Sequence, residues 1–302
     1  MIYMDNAATS YPKPQSVVKA VVEAIDNYGA NPGRSSHKFA VETALALYRA
    51  REAVADFFNT VPENVVFTYN ATYALNMAIL GMVKHGQNVC TSVFEHNSVL
   101  RPLWHLEKEK GIKITYLKPS LNDDEKIISD FEKLVKSSEK PQFLILTHTS
   151  NVIGYKMPVW QLGRICKREN ITFILDASQG VGTSEIDMDK MGVDILCASG
   201  HKGLFGIGGS GLFVMGKDSK VSVTPIFSGG SGLASREKEM PSSLPERLEA
   251  GTVSVVGAQS VKAGIEYINR EGIDSLSYKT FAMQKRLVEG ISVLSTYDLI
   301  WP

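Results

Sequence analysis

The residue types and spacing around Lys202 are those of a site that binds a carbonyl compound covalently. Lys202 ends the run Ser199-Gly200-His201-Lys202, directly after a strand-like run and directly before a glycine-rich stretch. Asp176 and Gln179 follow the preceding strand-like run. A lysine amine forms a Schiff base with an aldehyde, and a carboxylate can hold the proton of a pyridinium ring. The set predicts a site for pyridoxal 5'-phosphate (PLP), although a lysine before a turn, taken alone, is most often a surface residue.

Further polar residues follow other strand-like runs, and in an open α/β sheet ligands bind outside the carboxyl ends of the strands. The run Asn70-Ala71-Thr72 precedes a helix, whose first turn offers free N–H groups to a phosphate. Ser199 and His201 are further phosphate donors. His96 offers an imidazole that could lie on a cofactor ring, and Asn151 a donor to ring or substrate. Each residue alone also fits a helix cap or a turn, so the prediction depends on the set.

Short, almost continuously apolar runs alternate with amphipathic segments. This predicts an α/β fold with a mostly parallel sheet between two layers of helices. The stretch 228–245 is rich in Gly, Ser and Pro and predicts a long loop. Strands are predicted over 65–69, 88–93, 112–117, 143–148, 171–176, 193–198 and 210–215, with a further strand over 296–301. Helices are predicted over 36–58, 71–83, 98–110, 124–136, 158–169, 256–269 and 275–291.

Composition limits the classes of partner. The 302 residues carry 32 Lys and Arg against 32 Asp and Glu, so the net charge of zero gives no reason to expect nucleic acid or a membrane surface. The N-terminus shows no secretory pattern, and no apolar run is long enough to span a bilayer. Three cysteines without metal-site spacing predict no metal and favour a reducing cytoplasm.

Taken together, the motifs resemble the class V aminotransferase family of fold-type-I PLP enzymes, and most closely its cysteine desulfurase branch. The resemblance covers nearly the whole chain, and its most specific part is the pair Asp-x-x-Gln and Ser-Gly-His-Lys. The runs that carry it are Tyr3-Met-Asp-Asn-Ala-Ala-Thr9, Asn31-Pro-Gly-Arg-Ser-Ser-His37, Glu95-His96, Ser150-Asn-Val-Ile-Gly154, Asp176-Ala-Ser-Gln179, Ser199-Gly-His-Lys202 and Arg247-Leu-Glu-Ala-Gly-Thr252.

The resemblance implies a role for each matching residue. Lys202 would bind PLP covalently and then move the α-proton of the substrate, with His96 stacked on the ring and Asp176 paired with the pyridinium. The cofactor-binding set would be Ala71, Thr72, His96, Asn151, Asp176, Gln179, Ser199, His201, Lys202 and Thr252, in which Thr252 reaches a phosphate of the neighbouring subunit of a homodimer. The substrate side would be lined by His37, Asn151 and Arg247.

The resemblance also implies a large PLP-binding domain over 14–257 and parts of a small α+β domain over 1–13 and 258–302. The family's nucleophilic cysteine and its carboxylate-clamping arginine are C-terminal motifs that cannot be placed in this sequence. None of Cys90, Cys166 and Cys197 lies in the matching loop. Two explanations compete: a chain truncated at its C-terminus, or a shortened family scaffold that serves another use. We expect the first, in a form that binds cofactor but has little or no activity.

The expected activity of the full-length form is a PLP-dependent cysteine desulfurase, which converts L-cysteine to L-alanine and passes the sulfur on, with a sulfur-acceptor protein as a further partner. Two alternatives remain open from the sequence. One is another reaction of the same family, such as that of a selenocysteine lyase, an aminotransferase or an epimerase. The other is a non-catalytic scaffold protein that keeps the fold.

Overall fold

The computed structural model describes residues 2–33, 37–121, 123–233 and 236–294, and it places helices on both faces of a central sheet. The strands are β1 (Val65–Thr68), β2 (Asn88–Ser92), β3 (Lys113–Leu117), β4 (Phe143–Thr147), β5 (Thr172–Asp176), β6 (Ile195–Ser199) and β7 (Gly211–Met215). The helices are α1 (Gln15–Asn27), α2 (Lys38–Phe58), α3 (Ala71–Met82), α4 (Asn97–Lys110), α5 (Asp124–Val135), α6 (Val159–Glu169), α7 (Met188–Met191), α8 (Val255–Glu271) and α9 (Ile273–Ser292).

The sheet has the strand order β1-β7-β6-β5-β4-β2-β3. Strands β3, β2, β4, β5 and β6 pair in parallel, while β7 is antiparallel to both of its neighbours, β6 and β1. Strand β1 therefore runs in the same direction as β6. As a result, the carboxyl ends of β1, β2, β4, β5 and β6 all lie at one edge of the sheet, which confirms the predicted mixed but mostly parallel architecture.

The core lies on both faces of the sheet because alternate strand residues point to opposite sides. Along β4, Leu144 and Leu146 belong to one buried apolar cluster, whereas Phe143 and Ile145 belong to the other. The helices divide in the same way. The first cluster includes Ile127 and Phe131 of α5 and Leu162 of α6, and the second includes Leu75 and Ile79 of α3 and Leu103 of α4.

Every strand and helix predicted from the sequence within the described residues is present, with ends within two residues of those predicted. Helices α1 and α7 were not predicted. The strand expected over 296–301 lies outside the described residues. In the described part of 228–245, the chain forms neither a helix nor a strand, as expected for a long loop.

Helix α8 packs against α1 and α2. Its residues Val261, Ile265 and Ile268 are buried in the first apolar cluster, together with Val54 of α2. The helix thus contributes to the same core as the sheet. The boundary between a large and a small domain at residue 257 stays a prediction.

Candidate functional site

Lys202 lies in a loop that is closed at its base by strand pairing. Ser199, the last residue of β6, is the register partner of Gly211, the first residue of β7. Next to this pair, the Gly200 amide donates to the carbonyl of Ser210 at 2.9 Å. The side chain of Lys202 is half-buried, and burial lowers the pKa of its amine, while the negative charge of Asp176 acts in the opposite direction. The loop therefore holds an amine that loses its proton more readily than a surface lysine.

Asp176 ends β5, the strand next to β6, and its carboxylate is buried. The Ser178 amide donates to Asp176 Oδ1 at 3.0 Å. Three residues after Asp176, the Nε2 of Gln179 donates to the carbonyl of Ala7 at 3.2 Å. The structure thus brings a buried carboxylate near the amine of Lys202 and ties the following loop to the N-terminal segment.

A chain of three hydroxyl and imidazole groups joins the starts of α3 and α4. Thr72 Oγ1 lies 2.8 Å from Ser98 Oγ, which lies 2.8 Å from His96 Nδ1. His96 caps α4 by accepting from the Ser98 amide at 3.1 Å, and Asn70 caps α3 by accepting from the Tyr73 amide at 3.0 Å. Ser98 was not among the predicted site residues. The first turn of α3, with Ala71 and the exposed Thr72, offers free N–H groups at the sheet edge.

His201 is tied to the N-terminal segment by both its side chain and its backbone. Its Nδ1 lies 3.0 Å from Thr9 Oγ1, and its carbonyl accepts from Ser10 Oγ at 3.1 Å and from Lys13 Nζ at 2.8 Å. Burial lowers the pKa of His201, and the charges of Lys202 and Lys13 lower it further. The imidazole is therefore held in its neutral form. The sequence did not single out Ser10 or Lys13, because their partners are about 190 residues away along the chain.

Four predicted residues form no hydrogen bond with Lys202, Asp176 or His96 in the described part of the chain. Asn151 is on the exposed turn that follows β4. Thr252 is exposed and its Oγ1 accepts from Asn31 Nδ2 at 3.2 Å. His37 caps α2, and the Nε of Arg247 donates to the carbonyl of Val223 at 2.9 Å. The contributions of these four residues to cofactor or substrate binding stay predictions.

Buried polar groups that the sequence did not reveal surround Asp176. Glu95, one residue before His96, is buried, and burial followed by the negative charge of Asp176 raises its pKa to about 8. His148 is fully buried, and its backbone amide donates to the Asp176 carbonyl at 2.8 Å. In the described residues, Glu95 Oε2, His148 Nε2 and Ser178 Oγ are buried without a hydrogen-bond partner. Gly180 leaves the space that the imidazole of His148 occupies, because a Cβ there would lie 2.1 Å from Nδ1.

The three cysteines are buried and free, and burial raises the pKa of each thiol. None of them is therefore a ready thiolate nucleophile. Among the described residues, no group of three or more His, Cys, Asp or Glu is arranged to hold a metal ion.

The donor set fits a cofactor that carries an aldehyde, a ring nitrogen and a phosphate. Lys202 supplies an amine of lowered pKa, and the buried carboxylate of Asp176 supplies a negative charge near it. The start of α3 supplies anion-binding N–H groups together with the hydroxyl of Thr72. All these groups lie at the same edge of the sheet.

Comparisons with known proteins agree with this geometry. A sequence profile of the family described as "Aminotransferase class-V" matches residues 2–302. The "Probable cysteine desulfurase" of Pyrococcus abyssi is 35% identical over 305 residues, which cover 97% of this chain and 73% of that protein. The apo structure of the cysteine desulfurase from Thermococcus onnurineus NA1 superposes with a TM-score of 0.87 at 33% identity, over 97% of this chain and 73% of that one. The structure of SspA in complex with cysteine gives a TM-score of 0.74 at 26% identity, over 88% of this chain and 73% of that one.

Proposed function

The chain belongs to the class-V aminotransferase family, whose members depend on PLP, and we propose that it acts as a cysteine desulfurase that takes L-cysteine as its substrate and releases L-alanine. The similarity to proteins named cysteine desulfurase extends over almost the whole chain. A similar structure holds cysteine, which supports the same substrate here. Sulfur passes to an acceptor protein in the complete reaction.

The described residues divide the work of such a site. When bound, PLP supplies an aldehyde that links to an amine and an electron-withdrawing ring that stabilises negative charge at the substrate α carbon. Lys202 provides the amine and then takes the α-proton, a role favoured by its lowered pKa. Asp176, through its buried carboxylate, would hold a proton at the ring nitrogen, and His96 would stack on the ring. Thr72, with the first turn of α3, would bind the phosphate.

Other residues of the proposed cofactor site act on the ring oxygen and the phosphate. Gln179 would donate to the ring oxygen, while Ser199 and the neutral His201 would donate to the phosphate. Asn151, His37 and Arg247 would line the substrate side.

The observation that carries the proposal is the half-buried amine of Lys202 near the buried carboxylate of Asp176. PLP is added to the protein, the covalent adduct is fixed with borohydride, and the modified peptide is identified by mass spectrometry. We expect the label on Lys202, its loss in Lys202→Ala, and wild-type labelling in the matched control Lys220→Ala, which changes an exposed lysine. A colourless protein, or a label on another lysine, contradicts the assignment.

The sulfur must leave through a thiol other than Cys90, Cys166 and Cys197, since all three are buried with raised thiol pKa values. We therefore expect the 302-residue chain to bind PLP and to form alanine from cysteine slowly or not at all. The test measures alanine with and without an added small thiol. A rate comparable to that of intact relatives, abolished by replacing one of these cysteines with serine, contradicts this reasoning.

We further propose a homodimer in which Thr252 contributes to the partner's phosphate site. In the monomer, Thr252 lies at a cavity of about 420 Å³ that is lined by aromatic residues. The rings of Tyr73 and Phe227 are stacked at 5.5 Å, Tyr69 packs edge-on against Tyr73 at 5.4 Å, and all three side chains are exposed. An exposed aromatic patch of this kind is typical of a protein interface. Analytical ultracentrifugation should give a dimer that Tyr73→Asp weakens; a wild-type monomer at micromolar concentration would rule the dimer out.

The proposed compartment is the cytoplasm, where a reducing environment keeps the three buried cysteines as free thiols. In the described residues, the structure has no helix both long and apolar enough to cross a membrane.

A further inference from the structure

One backbone carbonyl at the centre of the site accepts hydrogen bonds from several residues of the N-terminal segment. The carbonyl of His201 lies within hydrogen-bond distance of the Ser10 amide at 3.2 Å, Thr9 Oγ1 at 3.2 Å, Ser10 Oγ at 3.1 Å and Lys13 Nζ at 2.8 Å. A carbonyl oxygen has two lone pairs, so these donors compete for it. The ammonium of Lys13 is the charged donor and the nearest, and it makes the strongest of these bonds.

Lys13 is placed unlike a solubilising surface lysine. Its side chain is half-buried, and its Nζ also donates to Ser10 Oγ at 2.7 Å. Both of its hydrogen-bond partners in the described part of the chain are neutral oxygens, and no described carboxylate pairs with it. Burial lowers the pKa of its ammonium. Partial burial of a cation without a counter-charge is unfavourable, and such groups concentrate at functional sites.

The contact acts on the peptide that leads into Lys202. The peptide unit is planar, so holding the His201 oxygen also fixes the orientation of the Lys202 amide. On the other side, the carbonyl of Lys202 accepts from the Phe205 amide at 2.9 Å. The backbone of Lys202 is therefore fixed by hydrogen bonds on both sides. One of them, from Lys13 to the His201 carbonyl, joins residues 188 positions apart in the sequence.

We propose that Lys13 is a positioning residue, whose ammonium holds the His201–Lys202 peptide so that the Lys202 amine stays half-buried and close to Asp176. The inference rests on the proposed role of Lys202 as the amine that binds PLP. The proposal assigns a role at the site to a charged residue of the N-terminal segment. The ammonium of Lys13 bonds to Ser10 Oγ and to the His201 carbonyl, so its effect on the Lys202 amine is exerted through the backbone.

The test measures the reactivity of the Lys202 amine in the protein without added PLP, so that a failure of the proposed enzymatic activity does not affect it. Trace acetylation over a range of pH, followed by mass spectrometry of the peptides, gives the amine fraction of each lysine. Lys13→Met keeps the apolar stem and removes the ammonium. We expect the labelling curve of Lys202 to move to higher pH, because the released amine gains solvent. A rise of one pKa unit lowers the amine fraction at pH 8 about tenfold.

The matched control is Lys19→Met on the same N-terminal region, because Lys19 is exposed and pairs only with Glu23 of the same helix at 3.6 Å. It should leave the Lys202 curve unchanged. An unchanged curve in Lys13→Met, with a thermal midpoint equal to that of the control, overturns the proposal. Should Lys13→Met fail to fold, the wild-type protein still decides: Lys13 must acetylate much more slowly than Lys19, and equal rates show that its ammonium is not held.

Capture of PLP is compared with capture of pyridoxal, which lacks the phosphate, as a second readout. If Lys13 positions the amine, Lys13→Met weakens borohydride-fixed capture of both aldehydes by the same factor. A loss confined to PLP would mean that Lys13 acts on the phosphate, and the positioning role would then be wrong.

Discussion

The carboxyl group of Glu95 should keep its proton at neutral pH, and its ionisation at higher pH should lower the free energy of unfolding. Its Oε1 accepts from Ser92 Oγ at 2.6 Å, while Oε2 is buried without a partner in the described residues. Burial and the charge of Asp176 raise the pKa of Glu95 from 4.5 to about 8, against the hydrogen bond from Ser92, which favours the ionised form. We therefore expect the carboxyl group of Glu95 to hold its proton at pH 7.

The size of the effect follows from the shift. At 1.36 kcal/mol per pKa unit, a rise from 4.5 to about 8 corresponds to roughly 5 kcal/mol. Between these pH values the folded chain binds a proton at Glu95 that the unfolded chain has lost. The contribution of Glu95 to the free energy of unfolding is therefore complete below pH 4.5. It is lost as the pH rises toward 8, by up to about 1.4 kcal/mol per pH unit. Glu95→Gln keeps the shape and the acceptor for Ser92 but removes the titration.

The assay is urea unfolding of the wild type and Glu95→Gln at several pH values between 5 and 9. We expect the variant to be of similar stability at pH 5 and to become more stable than the wild type as the pH rises, by several kcal/mol at pH 9. Infrared difference spectra should show a protonated carboxyl band at pH 7 that is absent from the variant. Parallel stability curves, or an ionised Glu95 at pH 7, would refute the reasoning.

Two further changes test the supports of the site. Arg51 and Glu249 form a buried pair with N–O distances of 2.8 and 2.6 Å, so Arg51→Met should lower the free energy of unfolding by about 3–5 kcal/mol, measured by urea unfolding; a loss below 1 kcal/mol would contradict this. In α8, Gly264→Ala places a Cβ 1.7 Å from the Leu204 carbonyl and should lower the free energy of unfolding by about 1–3 kcal/mol. In α9, Gly290→Ala places a Cβ with nothing within 4 Å and should raise that free energy by up to about 1 kcal/mol. Equal thermal midpoints for the two variants would contradict this prediction.

The sequence predicted the sheet well because its strands are buried on both faces and therefore apolar throughout. Strand β4, for example, has no exposed residue and was predicted to within one residue of its end. Helix α1 was missed although its apolar residues recur at helical spacing, with Val17, Val21 and Ala24 on one stripe that faces the core. Beside this stripe lie Val18, Val22 and Ile25, which are exposed.

At the site, the residues that follow a strand could be predicted, and those that support them could not. Asp176 and Lys202 are found from local pattern, since each follows a recognisable apolar run. The protonation of Glu95 depends on burial and on Asp176, more than 80 positions away in the sequence, and the bond from Lys13 to His201 spans 188 positions. Such contacts depend on the tertiary arrangement, which periodicity and motif spacing do not describe.

The antiparallel strand β7 explains how the start of α3 comes close to the Lys202 loop. Because β7 is antiparallel to β6 and β1, its amino end lies at the same edge as the carboxyl ends of its neighbours. Gly211 there pairs with Ser199 on one side and with Thr68 on the other. A Cβ at Gly211 would lie 2.5 Å from the Cα of Asn70, so glycine lets the cap of α3 approach the base of the Lys202 loop. A larger side chain at this position would therefore push the start of α3 away from the Lys202 loop.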